Sequence, residues 1–226
     1  MCARLSQILP PEAMRRLFHV DLWKNLAPRY NVAPTQEVWV IRRDDGDREA
    51  LTMRWGLVPG WAKDTKIASK TINARCETVA EKPSYRSAFA KRRCIVPADG
   101  FYEWDRSTTP RQPYRFVRGD GDPMALAGLW EHNDALGITS FTIVTTSANA
   151  LTDAIGHHRS PVILEGEDVG AWLDPATPAD ALDQLMLPFQ TDALMSYPVS
   201  TVVNSVKNEV PECIESIEQP VQPDLL

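Results

Sequence analysis

Cysteine and histidine are both scarce in this chain of 226 residues, with four of each. The cysteines, Cys2, Cys76, Cys94 and Cys213, form no CxxC pair and are too scattered for a disulfide framework. Two of the histidines, His157 and His158, are adjacent, which leaves too few ligands for a structural zinc site, so no metal is expected. No run nears the ~18 apolar residues of a membrane span, and the first residues lack the apolar core of a signal peptide. Together these absences describe a reduced, cytoplasmic protein with no membrane contact. Positive charge is also in deficit, with 24 Lys and Arg against 30 Asp and Glu and a net charge of −6. That balance speaks against indiscriminate nucleic-acid binding but leaves room for a local basic groove. There is no internal repeat, no low-complexity segment and no dividing linker. A chain of this length buries about 70% of its unfolded surface as a single domain, and a monomer is the default.

The pattern of apolar residues predicts one α+β domain with a mostly antiparallel, barrel-like β core and peripheral helices. Residues 10–18 (PPEAMRRLF) open on two prolines and align Met14, Leu17 and Phe18 on one face of a short helix. Residues 28–35 read as an ordered loop, and 36–42 and 50–55 as strands joined by the polar turn 43–49. From Asn73 to Glu81 the pattern is helical, and a second helix covers 85–92. Strands are predicted at 94–97, 101–105, 113–118, 124–130, 139–146, 161–164 and 196–203. Helices are predicted at 148–155 and 167–173, and from an N-cap at Thr177 through Leu187. The tail from Ser216, with Pro220 and Pro223, is expected to be mobile.

Chemistry is concentrated in a few stretches. Cys2 follows Met1, and a methionine ahead of a small residue is the usual substrate for methionine removal. A freed Cys2 carries an amine (pKa ~7.7–8.0) and a thiol (~8.5) on adjacent carbons, both partly nucleophilic at neutral pH. Such a 1,2-aminothiol condenses with an aldehyde to an imine, and the thiol then closes a thiazolidine ring. Taken alone, Cys2 reads equally as an ordinary residue of a frayed terminus. Trp55 and Trp61 share a Pro- and Gly-rich loop suited either to capping a core edge or to stacking on bases. Thr71–Glu77 places Asn73, Arg75 and Glu77 at a helix start, either as an anion site or as plain capping and surface pairing.

Two further clusters follow. In Ala98–Trp104, Glu103 lies within an aromatic strand, on the face of Phe101. If that face is buried, its carboxyl is pushed toward the range of a general acid; the solvent face is the even alternative. Gly156–Pro161 offers histidine for proton transfer and Arg159 for phosphate, although a surface turn reads the same way.

Read in order, the motifs resemble one family. They are Met1-Cys2-Ala3-Arg4, Asn31-Val32-Ala33-Pro34-Thr35, Arg54-Trp55-Gly56-Leu57-Val58-Pro59 with Trp61, and Ile72-Asn73-Ala74-Arg75 with Glu77-Thr78. Pro97-Ala98-Asp99-Gly100-Phe101-Tyr102-Glu103-Trp104, Gly128-Leu129-Trp130-Glu131, and His157 with Arg159 and Pro161 complete the set. The chain resembles the SRAP (SOS-response-associated peptidase) family over nearly its whole length, which implies a domain spanning 1–215 and a flexible tail at 216–226.

The resemblance implies recognition of abasic sites in single-stranded DNA during the DNA-damage response, with covalent capture through a thiazolidine at Cys2. It assigns orientation of Cys2 to Asn73, general acid/base work to Glu103, and stabilisation of the open sugar to His157. Arg4, Arg75 and Arg159 are implied to hold phosphates, and Trp55 or Trp61 to stack on bases, with no cofactor. The same cysteine, asparagine, glutamate and histidine underlie the family's cysteine-peptidase label. Alternatives are a cysteine peptidase acting on proteins, with lyase activity as a further option, and a non-covalent reader of modified DNA. The chain departs from the family pattern at Ala3 and Leu5, where Gly and Phe are usual, and at His158, where Asp is usual.

Overall fold

The computed structural model describes residues 2–21 and 27–217. In chain order the elements are β1 (Leu5–Gln7), α1 (Pro11–Phe18), β2 (Arg29–Val32), β3 (Glu37–Asp44), β4 (Asp47–Trp55), β5 (Asn73–Arg75) and α2 (Arg86–Lys91). They continue with β6 (Arg93–Ala98), β7 (Gly100–Trp104), β8 (Pro113–Arg118), β9 (Met124–Asn133), β10 (Ile138–Ser147) and α3 (Ala150–Ala154). The last are β11 (Arg159–Pro161), β12 (Ile163–Leu164), α4 (Glu167–Leu173), α5 (Ala179–Leu185) and β13 (Leu194–Pro198).

β10 organises the larger sheet. It pairs antiparallel with β9 and β11 and parallel with β4 and β5. Since β4 pairs β3, β3 pairs β6 and β6 pairs β9, the cycle β10–β4–β3–β6–β9 closes on itself. A closed cycle leaves those strands no bare edge. The smaller sheet runs β13–β8–β7–β1–β2. Alternation along β6 shows how the core divides. Cys94 and Val96 join Val38, Val40, Met53, Trp55, Leu126 and Phe141 in one cluster, which also takes Leu5, Val32, Phe101 and Phe116 from the smaller sheet. Ile95 points the other way, into a cluster with Phe18, Tyr85, Phe89 and Trp172 from the covering helices and loops.

The expected barrel-like α+β class is what forms, and five local expectations change. Residues Arg29–Val32 are a strand rather than a loop, because Val32 pairs with Leu5. Asn73–Glu81 is not helical: Asn73, Ala74 and Arg75 pair with Ile143, Val144 and Thr145, and only Cys76–Thr78 turns, as a 3-10 segment. Sheet pairing overrides the local helical period there, and with it goes the helix start on which both the anion-site and the capping readings depended. The polar turn narrows to Asp45-Gly46, both at positive φ (44° and 98°), so β3 and β4 are longer than expected. The last strand ends at Pro198, after which the Ser200 side chain accepts from the Val202 N–H and starts a 3-10 turn. Helix α5 is preceded by Pro178 rather than capped by Thr177 and ends at Leu185, short of Leu187. The expected mobile tail lies outside the described residues beyond Ile217.

Candidate active site

Strand β1 is an inner strand of the smaller sheet, flanked by β2 and β7, so the chain start is held by pairing on both sides. Leu5 faces Phe101 across the β1–β7 ladder, and the Tyr102 N–H donates to the Arg4 carbonyl at 3.0 Å, carrying the register toward Cys2 and Glu103. Cys2 is 1% exposed, and burial followed by the Glu103 carboxylate pushes its thiol up to about 12. At neutral pH the thiol is therefore protonated in this form of the chain.

Asn73, on β5, approaches from the other sheet. Its side-chain Nδ2 donates to the Cys2 carbonyl at 2.7 Å, while Oδ1 is enclosed and accepts no hydrogen bond among the described residues. The Tyr85 hydroxyl donates to the Asn73 carbonyl at 3.1 Å and ties the residue to the start of α2. Sequence reading overlooked Tyr85, and the only sequence signal for it was an aromatic residue with a polar tip just ahead of a helix.

Glu103 is 3% exposed, so its strand face is buried, as is the opposite face at Tyr102. Its Oε2 lies 3.2 Å from His157 Nδ1, and His157 Nε2 is 2.9 Å from the Trp104 carbonyl. A carbonyl only accepts, so Nε2 carries the proton and Nδ1 faces the carboxyl. Burial raises the Glu103 carboxyl above its usual range and lowers the His157 imidazole below its own. Both shifts favour the neutral pair, with the proton on Glu103 and a lone pair on Nδ1. His158 is exposed, so the histidine beside Glu103 is His157. Ala3 causes no backbone strain: among the described residues the non-glycine positions at positive φ are His19, Thr35 and Asp45.

The residues expected to hold DNA fare unevenly. Arg4 donates to Asn31 Oδ1 and to the Val203 carbonyl, both at 2.6 Å, and its guanidinium lies 5.4 Å from the Trp104 ring centre. Asn31, buried, spends its amide on the carbonyls of Val203, Ser205 and Asn208. Arg159 pairs with Glu77 and donates to the Thr145 carbonyl. Arg75 is exposed at the end of β5. Trp55 does not fit the stacking expectation: it is 0% exposed, its ring is stacked on Phe141, and its Nε1 donates to the Ile72 carbonyl at 2.9 Å. Trp61, 61% exposed, does present an open face.

An amino-terminal cysteine held by an asparagine amide beside a buried Glu–His pair, on a closed β core, places the chain in a defined class. It belongs to the SRAP family: the model described as SOS response associated peptidase matches residues 1–206. The chain is 41% identical over 224 residues to the abasic site processing protein YoqW of Bacillus subtilis (strain 168), covering 96% of this chain and 100% of that one. It is 33% identical over 269 residues to the abasic site processing protein HMCES of Mus musculus, covering 95% of this chain and 75% of the relative. A crystal structure of a Bacteroides thetaiotaomicron protein superposes with a TM-score of 0.81 at 28% identity, covering 95% of this chain and 99% of that one. Another, from Bordetella bronchiseptica, gives 0.76 at 33% identity, with 88% and 100% covered.

Proposed function

We propose that this chain is an abasic-site sensor that captures ring-opened abasic sites in single-stranded DNA through Cys2. The carrying observation is the convergence of Asn73 on the Cys2 carbonyl beside the Glu103–His157 pair. The relatives named as abasic site processing proteins support the substrate.

Removal of Met1 frees the Cys2 amine. Protonated Glu103 gives its proton to the sugar ring oxygen as the C1–O bond breaks, the C1 hydroxyl proton passes to His157 as the aldehyde forms, and the imidazolium so formed stabilises the Glu103 carboxylate. The Cys2 amine adds to the aldehyde carbon and water leaves, giving the imine. The thiol then adds across the C=N bond: the carbon–sulfur bond forms, the thiol proton passes to the Glu103 carboxylate, and the His157 imidazolium returns its proton to the nitrogen. The product is a thiazolidine linking protein and DNA, with no change of oxidation state. Hydrolysis of the Met1–Cys2 bond by the same groups is the peptidase step consistent with the family's description. Lyase chemistry from the imine is the competing outcome.

The test is a denaturing gel of the protein and Cys2→Ala with a single-stranded oligonucleotide carrying one abasic site. A Cys2-dependent band surviving SDS and heat is expected. Its absence, once N-terminal sequencing shows Cys2 exposed, overturns the reading.

A further inference from the structure

Two of the three arginines expected to hold phosphates are engaged within the protein, Arg4 by Asn31 and Val203 and Arg159 by Glu77 and Thr145. Positive charge free to meet a phosphate remains at exposed Arg75 and is found in one further place. The connection between β7 and β8 carries Arg106 and Arg111, both exposed and neither held through its side chain in a hydrogen bond or ion pair among the described residues. It is a built loop. Asp105 N–H donates to the Gln112 carbonyl at 2.8 Å and closes its base, and the Asp105 carboxylate accepts from the Ser107 N–H and hydroxyl at 2.8 and 2.7 Å. Gln112 Nε2 pins it to the Val199 carbonyl at 2.8 Å, and Thr108 Oγ1 accepts from the Gln112 N–H at 3.0 Å. Asp105, the acid at the base of the loop, spends its carboxylate on Ser107 and pairs with neither guanidinium among the described residues.

The loop is fixed over the catalytic pair. Arg106 N–H donates to the Ile155 carbonyl at 3.2 Å, two residues before His157. Gly156, at φ 75°, would carry a Cβ only 3.3 Å from Arg106 Cβ, so a side chain there would crowd the approach. The field of Arg106 reaches both Glu103 and His157, and that of Arg111 reaches His157.

Resting on the abasic-site reading above, we propose that Arg106 and Arg111 form a phosphate-holding arm that grips the single-stranded backbone next to the captured sugar. They are positioning residues: they hold the strand and do not touch the reacting carbon.

The test measures reversible binding of an abasic single strand in a Cys2→Ala background across a salt series. Each phosphate contact on a single strand contributes about 0.7 to the slope of log K against log salt. Arg106→Ala with Arg111→Ala is expected to flatten the slope by about 1.4, and the paired Arg→Lys changes should restore it. The control Arg86→Ala with Lys91→Ala removes the same charge from the exposed face of α2 and should leave the slope unchanged. A slope equal to that of the unmodified arm, or a loss equal to the control's, overturns the proposal. The Cys2-dependent gel band reports the underlying reading separately. A band with an unchanged slope defeats the arm alone. A flattened slope with no band defeats covalent capture and leaves the arm standing as a single-strand contact.

Discussion

Asn73 offers the sharpest test of how the site works. Its Nδ2 makes a buried 2.7 Å hydrogen bond to the Cys2 carbonyl. Removing one partner of such a bond leaves the other unsatisfied, at about 1–3 kcal/mol. At about 1.4 kcal/mol per tenfold, a loss borne by the reactive arrangement slows capture roughly 5- to 150-fold. Asn73→Asp isolates the donor, since it keeps Oδ1 and sets a second oxygen against the Cys2 carbonyl, whereas Asn73→Ala removes donor and acceptor together. The assay is single-turnover crosslinking at saturating DNA, with a melting curve on each variant. If the same loss falls on the fold instead, Tm drops by about 2–4 °C per kcal/mol for a chain of this size. Capture by Asn73→Asp within twofold of the parent rate would refute the assignment of Asn73 to Cys2.

Further expectations concern its neighbours. Glu103→Gln should slow capture by about a hundredfold or more, and should abolish the alkaline decline expected of the parent as pH rises through the raised carboxyl value; a decline that persists in the variant rules out Glu103 as its source. The same shift has a stability sign: a folded-state value above the unfolded one contributes stability that is full at low pH and lost as pH rises through it. The Tm of Glu103→Gln relative to the parent should therefore climb with pH, and a flat difference contradicts this. Tyr85→Phe removes a bond of about 1 kcal/mol to the Asn73 carbonyl and should slow capture several-fold without weakening DNA binding, as a binding isotherm beside the gel checks. Trp55→Ala should cost about 3–5 kcal/mol in denaturant titration. Trp61→Ala should leave stability alone and weaken strand binding by about 1–3 kcal/mol.

Cys2, Asn73 and Glu103 stand out in the sequence (a cysteine at position 2, a polar run beside an apolar strand, a glutamate among aromatics), but each has an ordinary reading too, and it is the family resemblance that joins them into one site. Strand alternation placed Glu103 with Phe101, and both are buried. What could not be read was pairing at long range. Asn73 looked helical because its neighbours have a helical period, but β10 supplies a parallel partner that only the closed β core brings there. Trp55 and Trp61 were indistinguishable as exposed or enclosed, since loop composition does not say which ring turns toward Phe141. Arg4 and Arg159 read as free cations for the same reason, their acceptors lying on residues remote in sequence.

The bond from Arg4 to the Val203 carbonyl joins positions 199 residues apart. Its consequence is one of timing. In chain order Cys2 comes first, Asn73 and Glu103 follow within the first half, and His157 and the turn at Val203 that restrains Arg4 come later. Contacts of such separation form late, because loop closure must precede them. A chain that stops short of that turn therefore carries Cys2 without the restraint on Arg4.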